Sequence, residues 1–239
     1  MGTSYPCPEG GEGVSIINKS SLSLRASGPG VVTMDCQGRG RALFLRNVTY
    51  FALQGFVIQN GRADQGGGVL AIDVEELYFL GNVFGDNVCT QGWGGAINAY
   101  NVKTLGIGEN RFVNNLATGS NATGGSVLMQ RVSRCEVWDS EFVDNVVADD
   151  CLGGGALSIL SGDVITIRGC NFSSSVAQFS LNGSGGGALL VGDVNIFFVE
   201  GCRFDNNSAY GANGGAISVF PPTLSPRVHI RSCDLRGNT

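Results

Sequence analysis

Short runs in which apolar and polar residues alternate recur along the chain at an interval of roughly 28 to 32 residues. A Gly-Gly pair followed by a small residue and an aliphatic residue marks each interval, at residues 67–70, 94–97, 124–127, 154–157, 186–189 and 214–217. A Phe-x-x-Asn motif then follows, as Phe84/Asn87, Phe112/Asn115, Phe142/Asn145 and Phe204/Asn207, with the variants Phe172/Ser175 and Leu235/Asn238. The two landmarks indicate one structural unit per repeat.

Each repeat holds three short segments with period-two alternation and no stretch that is long enough for an amphipathic helix. A short strand cannot bury its apolar face alone, so successive repeats must stack as coils with parallel hydrogen bonding. The pattern predicts an all-β, single-stranded parallel β-helix of about seven coils with three short strands per coil. The strong preference for right-handed parallel crossovers predicts its hand. The signatures of β-propellers and leucine-rich repeats are absent.

Equivalent positions of successive repeats, called columns below, keep their chemical character. The columns five and seven residues before the Phe are apolar throughout, and the Asn of Phe-x-x-Asn recurs in all but one repeat. We therefore expect buried aliphatic and Phe columns, together with a ladder of Asn side chains whose amides hydrogen-bond along the stack. Ser175 gives that ladder a weaker rung.

The chain is expected to be one β-helix domain over residues 1–239. Residues 1–39 are predicted to form an N-terminal capping region and a partial first coil, and residues 40–239 the repeats. Because the sequence stops inside a repeat and stacked repeats normally need polar caps, we expect the chain to be an excised piece with a truncated C-terminal end.

The Gly-Gly-Ala-aliphatic motif is complete at Gly94-Gly95-Ala96-Ile97 and at Gly214-Gly215-Ala216-Ile217, among other places. Its alternation with Phe-x-x-Asn resembles the passenger domains of the chlamydial polymorphic membrane proteins, which are surface adhesins, and more loosely the pectin-lyase-like β-helix superfamily. The resemblance covers residues 40–238. It implies a right-handed parallel β-helix and an adhesive function.

Charge and hydropathy narrow the range of partners. The net charge is −5 and the chain lacks a Lys/Arg cluster, which argues against nucleic acid as a partner. No apolar run approaches the ~18 residues of a membrane span, so we expect no direct membrane insertion in this segment.

Sequons and cysteines favour an extracellular or cell-surface location. Asn-x-Ser/Thr sequons occur at Asn18, Asn47, Asn121, Asn171, Asn182 and Asn206, all at positions expected to lie outside the apolar columns. Among eight cysteines, Cys7 and Cys36 flank the first coil, and Cys89 and Cys151 occupy equivalent loops two coils apart; these four are the disulfide candidates. The inward positions of Cys135, Cys170, Cys202 and Cys233 instead predict small buried side chains.

Neither a catalytic residue, a metal site nor a cofactor is predicted. Zinc coordination lacks ligands, since the chain has one histidine, His229, and no Cys-x-x-Cys. The adjacent acidic pairs Asp149-Asp150 and Glu75-Glu76 fall in turns without the partners that glycoside hydrolysis needs. Rows of Asp and Asn after the Phe column and in the preceding bend could bind Ca²⁺ or act as turn caps.

The variable segments lie between the Asn and the next Gly-Gly and are expected to project from one edge of the stack, with Trp93 among them. We therefore predict an extracellular adhesion or matrix module whose partner is a cell-surface or matrix protein or a glycan. The alternative is a polysaccharide lyase or hydrolase, or a non-catalytic glycan-binding β-helix.

Overall fold

The computed structural model describes residues 3–8, 11–27, 30–149, 151–178, 185–211, 214–219 and 227–239. Within these ranges the chain forms strands joined by bends and turns, and no residue is helical. Every strand pair in these ranges is parallel, and the strands stack as a β-solenoid of about seven turns. The predicted right-handed parallel β-helix is confirmed.

Three sheets run along the stack. Sheet A carries the Phe column and consists of β1 (Thr3–Pro6), β3 (Val32–Asp35), β5 (Phe56–Gln59), β8 (Val83–Gly85), β11 (Arg111–Val113), β14 (Glu141–Val143), β17 (Asn171–Ser173), β20 (Arg203–Asp205) and β24 (Asp234–Arg236). Sheet B consists of β2 (Glu12–Arg25), β4 (Arg41–Gln54), β7 (Val69–Leu80), β10 (Ile97–Gly108), β13 (Val127–Trp138), β16 (Leu157–Arg168), β19 (Leu189–Glu200), β22 (Ile217–Val219) and β23 (Arg227–Arg231), the last two both pairing with β19. Sheet C consists of β6 (Arg62–Gln65), β9 (Val88–Trp93), β12 (Leu116–Ala117), β15 (Val146–Val147), β18 (Val176–Ala177) and β21 (Ser208–Ala209).

The division of a coil into strands differs from the prediction in one respect. The segment after Gly-Gly and the segment before the Phe form one continuous strand of sheet B rather than two. Asp73 and Asn101 lie inside such strands with φ values of 56° and 55°, so the strand bends there without losing its parallel neighbours. The third strand of each coil is supplied by sheet C, directly after the Asn.

The Phe residues of Phe-x-x-Asn form a continuous stack in the interior. From Phe84 through Phe112, Phe142 and Phe172 to Phe204, neighbouring ring centroids are 4.7 to 4.9 Å apart and the ring planes differ by 4 to 8°. This separation equals the spacing of hydrogen-bonded strands, so in-register pairing places each ring directly over the previous one. All five side chains are fully buried, which confirms the predicted Phe column.

The predicted Asn ladder is also confirmed. Asn115 accepts the backbone N–H of Asn87 through Oδ1 at 3.1 Å and donates through Nδ2 to the carbonyl of Phe84 at 2.9 Å. Asn145 repeats both bonds one coil later. Each buried amide therefore satisfies one donor and one acceptor of the preceding coil at a corner where the backbone leaves the sheet.

Both glycines of the Gly-Gly pair are required by the stacking. Gly94 and Gly124 have φ values of 69° and 66°, in the left-handed region that favours glycine. A Cβ at Gly95 would overlap the carbonyl oxygen of Gly125 in the next coil. The first position thus needs glycine for its left-handed backbone conformation, and the second needs glycine because a side chain would overlap the next coil.

Candidate binding surface

One of the two proposed cysteine pairs is joined. Cys7 and Cys36 form a disulfide between adjacent coils, with a Cα–Cα distance of 4.4 Å and a sequence separation of 29 residues. The prediction of a disulfide at Cys89 and Cys151 is wrong. Those two residues are two coils apart, roughly 9.5 Å at the strand spacing, and a disulfide spans Cα atoms less than about 7 Å apart. The buried Cys89 and Cys151 thiols donate instead to the carbonyls of Asp64 (3.0 Å) and Gln178 (2.7 Å).

Most of the predicted glycosylation positions face solvent. The exposed sequon asparagines are Asn18, Asn47, Asn121 and Asn206. Asn171 is half-buried, and its Oδ1 atom is buried without a hydrogen-bond partner. Asn182 lies outside the described residues.

Asn18 and Asn47 occupy the same column of adjacent coils. The Nδ2 atom of Asn47 donates to Oδ1 of Asn18 at 3.1 Å, so the two acceptor side chains are in direct contact. A glycan attached at either asparagine would therefore lie against the other acceptor.

The acidic candidates are not assembled into a site within the described ranges. Asp149 is exposed on a bend with φ of 64°, Asp150 lies outside those ranges, and Glu75 and Glu76 are exposed. His229 stacks on Phe198, with ring centroids 4.8 Å apart. No group of three or more His, Cys, Asp or Glu side chains in the described part of the chain is placed to hold a metal ion.

The Asp and Asn rows occupy bends. Asp86, Asn114 and Asp144 all have φ between 53° and 55°, and Asn101 donates to Asp73 at 2.5 Å. These residue types tolerate the left-handed conformation and hydrogen-bond locally, so the rows are turn positions.

The segments between the Asn and the next Gly-Gly lie on the stack more than they project from it. Leu128 points away from the interior but is fully buried, because these segments cover that row of sheet B. Thr123, in one such segment, contacts Ser158 of the row through the two hydroxyls at 2.6 Å. A second small core forms beneath them from Cys89, Ala117, Ala122, Val147, Cys151, Ala177 and Ala209. Among the described residues of these segments, Trp93 and Tyr210 are exposed large side chains, at 38% and 58%.

A different surface, on the other half of sheet B, carries partly exposed aromatic side chains on glycines. We call Tyr50, Tyr78, Trp138, Gly106 and Gly108 the aromatic face. Gly108 pairs with Trp138 across adjacent strands, and a Cβ at Gly108 would overlap the indole ring. Likewise, a Cβ at Gly106 would lie 2.5 Å from the ring of Tyr78, whose centroid is 5.8 Å from that of Tyr50. The two glycines let the indole and phenol rings lie close against the backbone of β10.

Charged side chains border the aromatic face. Arg168 lies over the Trp138 ring, with Cζ 6.0 Å from the centroid, and its Nε donates to Glu136 Oε1 at 2.7 Å. Burial raises the pKa of Tyr78, with smaller contributions from Glu76 and Tyr50, so its hydroxyl stays neutral and can donate a hydrogen bond. The face therefore combines apolar ring surface with hydrogen-bonding groups at its edge.

Sequence reasoning did not find the aromatic face because it followed the inward columns and the variable segments. The sequence signal for this face lies in the two outward columns, four and six residues before the Phe column. Counted from the Phe column, Gly106 and Gly108 replace the large residues that the neighbouring coils carry at Tyr78 and Trp138. A glycine pair beside outward aromatics indicates rings that lie over the strand.

Comparisons with family models, with curated proteins and with solved structures found no match to this chain. The described residues contain no helix that is long and apolar enough to cross a membrane.

Proposed function

We propose that this chain is an extracellular or cell-surface adhesion or matrix module, and that the aromatic face is its contact surface. The proposal rests on one observation: Trp138 and Tyr78 are held against a rigid sheet by Gly108 and Gly106. Aromatic rings fixed in this way lose little conformational entropy on binding, and Trp and Tyr are the residues that most often dominate interface energies. The resemblance of the repeats to surface adhesins supports the same function.

The disulfide supports the location. Disulfides persist in oxidising compartments and are rare in the cytosol of mesophiles, so Cys7–Cys36 favours a secreted or surface protein. The four exposed sequons are compatible with it.

Binding to cultured cells and to an immobilised extracellular-matrix preparation tests the proposal. Trp138→Ala should weaken binding by roughly tenfold or more, as expected for the loss of a central aromatic contact. Tyr210→Ala, which removes an exposed aromatic side chain of a variable segment and leaves the aromatic face intact, is the matched control and should leave binding unchanged. Equal binding by Trp138→Ala, Tyr78→Ala and the wild-type chain would exclude the aromatic face. Loss only in Trp93→Ala or Tyr210→Ala would assign binding to the variable segments.

A non-catalytic glycan-binding module is the second candidate. The C–H groups of a pyranose ring pack on aromatic faces while its hydroxyls need donors and acceptors nearby, which Glu136 and Arg168 supply at the edge of Trp138. A glycan array, followed by calorimetry with the oligosaccharides that bind on it, separates sugar binding from protein binding. Incubation with acidic polysaccharides, with assays for unsaturated products and reducing ends, tests the lyase and hydrolase alternative in the same samples.

A further inference from the structure

One inward column changes from amides to thiols along the stack. Two residues before the Phe column, the residues in successive coils are Asn82, Asn110, Ser140, Cys170, Cys202 and Cys233. In the first coils Asn110 Oδ1 accepts the backbone N–H of Asn82 at 2.8 Å. In the later coils Cys202 Sγ accepts the backbone N–H of Cys170 at 3.4 Å. The thiols thus take over a hydrogen-bonding position that is built into every coil.

The three thiols occupy equivalent positions in successive coils. Each donates to backbone carbonyls around the corner, as the Cys202 thiol does to Ile167 at 3.7 Å and to Glu200 at 3.4 Å. The strands on both sides are in register, with Glu200 facing Arg231 and Arg203 facing Asp234. Cys202 and Cys233 therefore face each other on adjacent coils.

Facing positions on adjacent coils are within reach of a disulfide. Parallel strands lie about 4.7–4.9 Å apart, inside the range of about 4.4–6.8 Å for the Cα atoms of cystine. Cys7 and Cys36 show that this stack accepts such a bond, with a Cα–Cα distance of 4.4 Å and 29 residues between them.

We infer that Cys202 and Cys233 are a second inter-coil disulfide site, which a small-molecule disulfide such as oxidised glutathione converts from dithiol to cystine. Accessibility selects this pair over Cys170 and Cys202. Cys170 and Cys202 are each 2% exposed, whereas Cys233 is half-buried and can be reached by the oxidant. Three thiols in a row allow only one internal bond, because Cys202 is the neighbour of both others.

The exchange balances in two steps. The Cys233 thiolate attacks oxidised glutathione, forms a mixed disulfide and releases one glutathione thiolate. The Cys202 thiolate then attacks Cys233 Sγ, forms the protein disulfide and releases the second glutathione. Each cysteine gives up one proton, and two electrons pass to glutathione. The backbone N–H of Cys170 donates to Cys202 Sγ at 3.4 Å, which favours the Cys202 thiolate as the resolving nucleophile.

Peptide mapping of the full chain tests the inference. The folded protein is incubated with oxidised glutathione, quenched with acid, denatured, alkylated and digested without reduction. Trypsin leaves Cys170 and Cys202 in one peptide, so a Glu-specific protease that cleaves after Glu200 is added to separate them. We expect a cross-linked peptide pair that contains Cys202 and Cys233, and a fall in alkylated thiols from six to four. Cys7–Cys36 is the internal positive control, and buried Cys135 should remain a thiol.

Two variants identify which cysteines form the cross-link. Cys170→Ser should keep the new cross-link, and Cys233→Ser should keep all of its remaining thiols alkylatable. The inference is overturned if Cys202 and Cys233 stay alkylatable while Cys7–Cys36 is intact, or if the wild-type cross-link joins Cys170 to Cys202. Circular dichroism at 218 nm on each variant checks that the strands are retained before oxidation.

Discussion

The Oδ1 atom of Asn207 accepts the backbone N–H of Ser175 at 3.0 Å, but Ser175 offers no amide to the coil before it. Its hydroxyl donates to the carbonyl of Ser173 at 3.5 Å instead. Ser175→Asn should restore a full rung, with Nδ2 donating to the carbonyl of Phe142 as its equivalents do to other Phe carbonyls. We expect a gain of about 0.5–1.5 kcal/mol in the free energy of unfolding, measured by denaturant titration.

Two variants serve as controls for that gain. Asn115→Ser, which creates the same gap elsewhere in the ladder, should lose a similar amount. Ser173→Gln changes the outward-facing residue at the end of β17, two positions before Ser175, and should shift stability by less than about 0.5 kcal/mol. If Ser175→Asn leaves the free energy of unfolding unchanged or lowers it, the corner is packed too tightly to accept an Asn side chain.

Removal of the Cys7–Cys36 disulfide should destabilise the first coils. For a closed loop of 29 residues, the loss of loop-closure entropy in the unfolded chain corresponds to about 3–4 kcal/mol. The double variant Cys7→Ser/Cys36→Ser should show this loss by thermal denaturation under non-reducing conditions. In reductant the wild-type chain should fall to a similar midpoint. A wild-type midpoint that does not respond to reductant would contradict the prediction.

The buried guanidinium of Arg41 joins three coils. It donates to Asp64 at 2.8 Å and to Glu12 at 3.2 Å, and also to the carbonyls of Gln65 at 2.7 Å and Gly66 at 3.2 Å. Arg41→Met should cost about 1–3 kcal/mol, mainly because the buried carbonyl of Gly66 loses its donor. Ion pairing contributes less, since the carboxylates of Glu12 and Asp64 are 36% and 58% exposed.

The control for Arg41 is an exposed arginine with a similar ion pair. Arg111 pairs with Glu141 at 3.3 Å, and both side chains are more than half exposed, at 54% and 55%. Arg111→Met should change the free energy of unfolding by less than about 0.5 kcal/mol. Equal losses in the two variants would mean that burial does not decide the effect.

Substitution of Gly108 by Ala should displace the Trp138 indole, because the added Cβ would overlap the ring. In a Trp93→Phe background, Trp138 is the only tryptophan, and its emission should shift to longer wavelength as the ring enters water. The strain should cost roughly 1–3 kcal/mol. Gly85→Ala is the matched control, since a Cβ there has no heavy atom within 4 Å. An unchanged spectrum in Gly108→Ala would show that the ring does not lie over this glycine.

In a secreting eukaryotic host, a single chain should carry a glycan at Asn18 or at Asn47 but not at both. The two side chains touch at 3.1 Å, and a first sugar on either would cover the other acceptor. Mass spectrometry of glycopeptides should find the two sites mutually exclusive, and Asn47→Gln should raise occupancy at Asn18. Chains glycosylated at both sites would contradict this expectation, and Asn121 and Asn206 should be unaffected by Asn47→Gln.

The fold follows from the sequence because an inward column must be filled in every coil. Phe84, Phe112 and Phe142 could be aligned by counting, and the Asn three residues later marks a corner with fixed hydrogen-bonding needs. The Cys7–Cys36 bond was likewise within reach of sequence reasoning, because it joins neighbouring coils.

The candidate surface was harder to predict because outward positions are free to vary. The Trp138 indole lies over Gly108 in the preceding coil, and this pairing can be recognised only when the strand register is known. The disulfide at Cys89 and Cys151 was predicted from the equivalence of their loops, but two strand spacings exceed the Cα–Cα distance that a disulfide can span. Arg41 depends on contacts from three coils, which no local pattern contains.

The stacking register has a mechanical consequence. Phe84 and Phe112 are 28 residues apart and Phe172 and Phe204 are 32, so contacts between coils span about one coil of sequence. A chain pulled from its ends should unravel one coil at a time, each step releasing roughly 100 Å of contour length. Because the cystine at Cys7 and Cys36 joins two adjacent coils, the step that separates these coils should be absent until the bond is reduced.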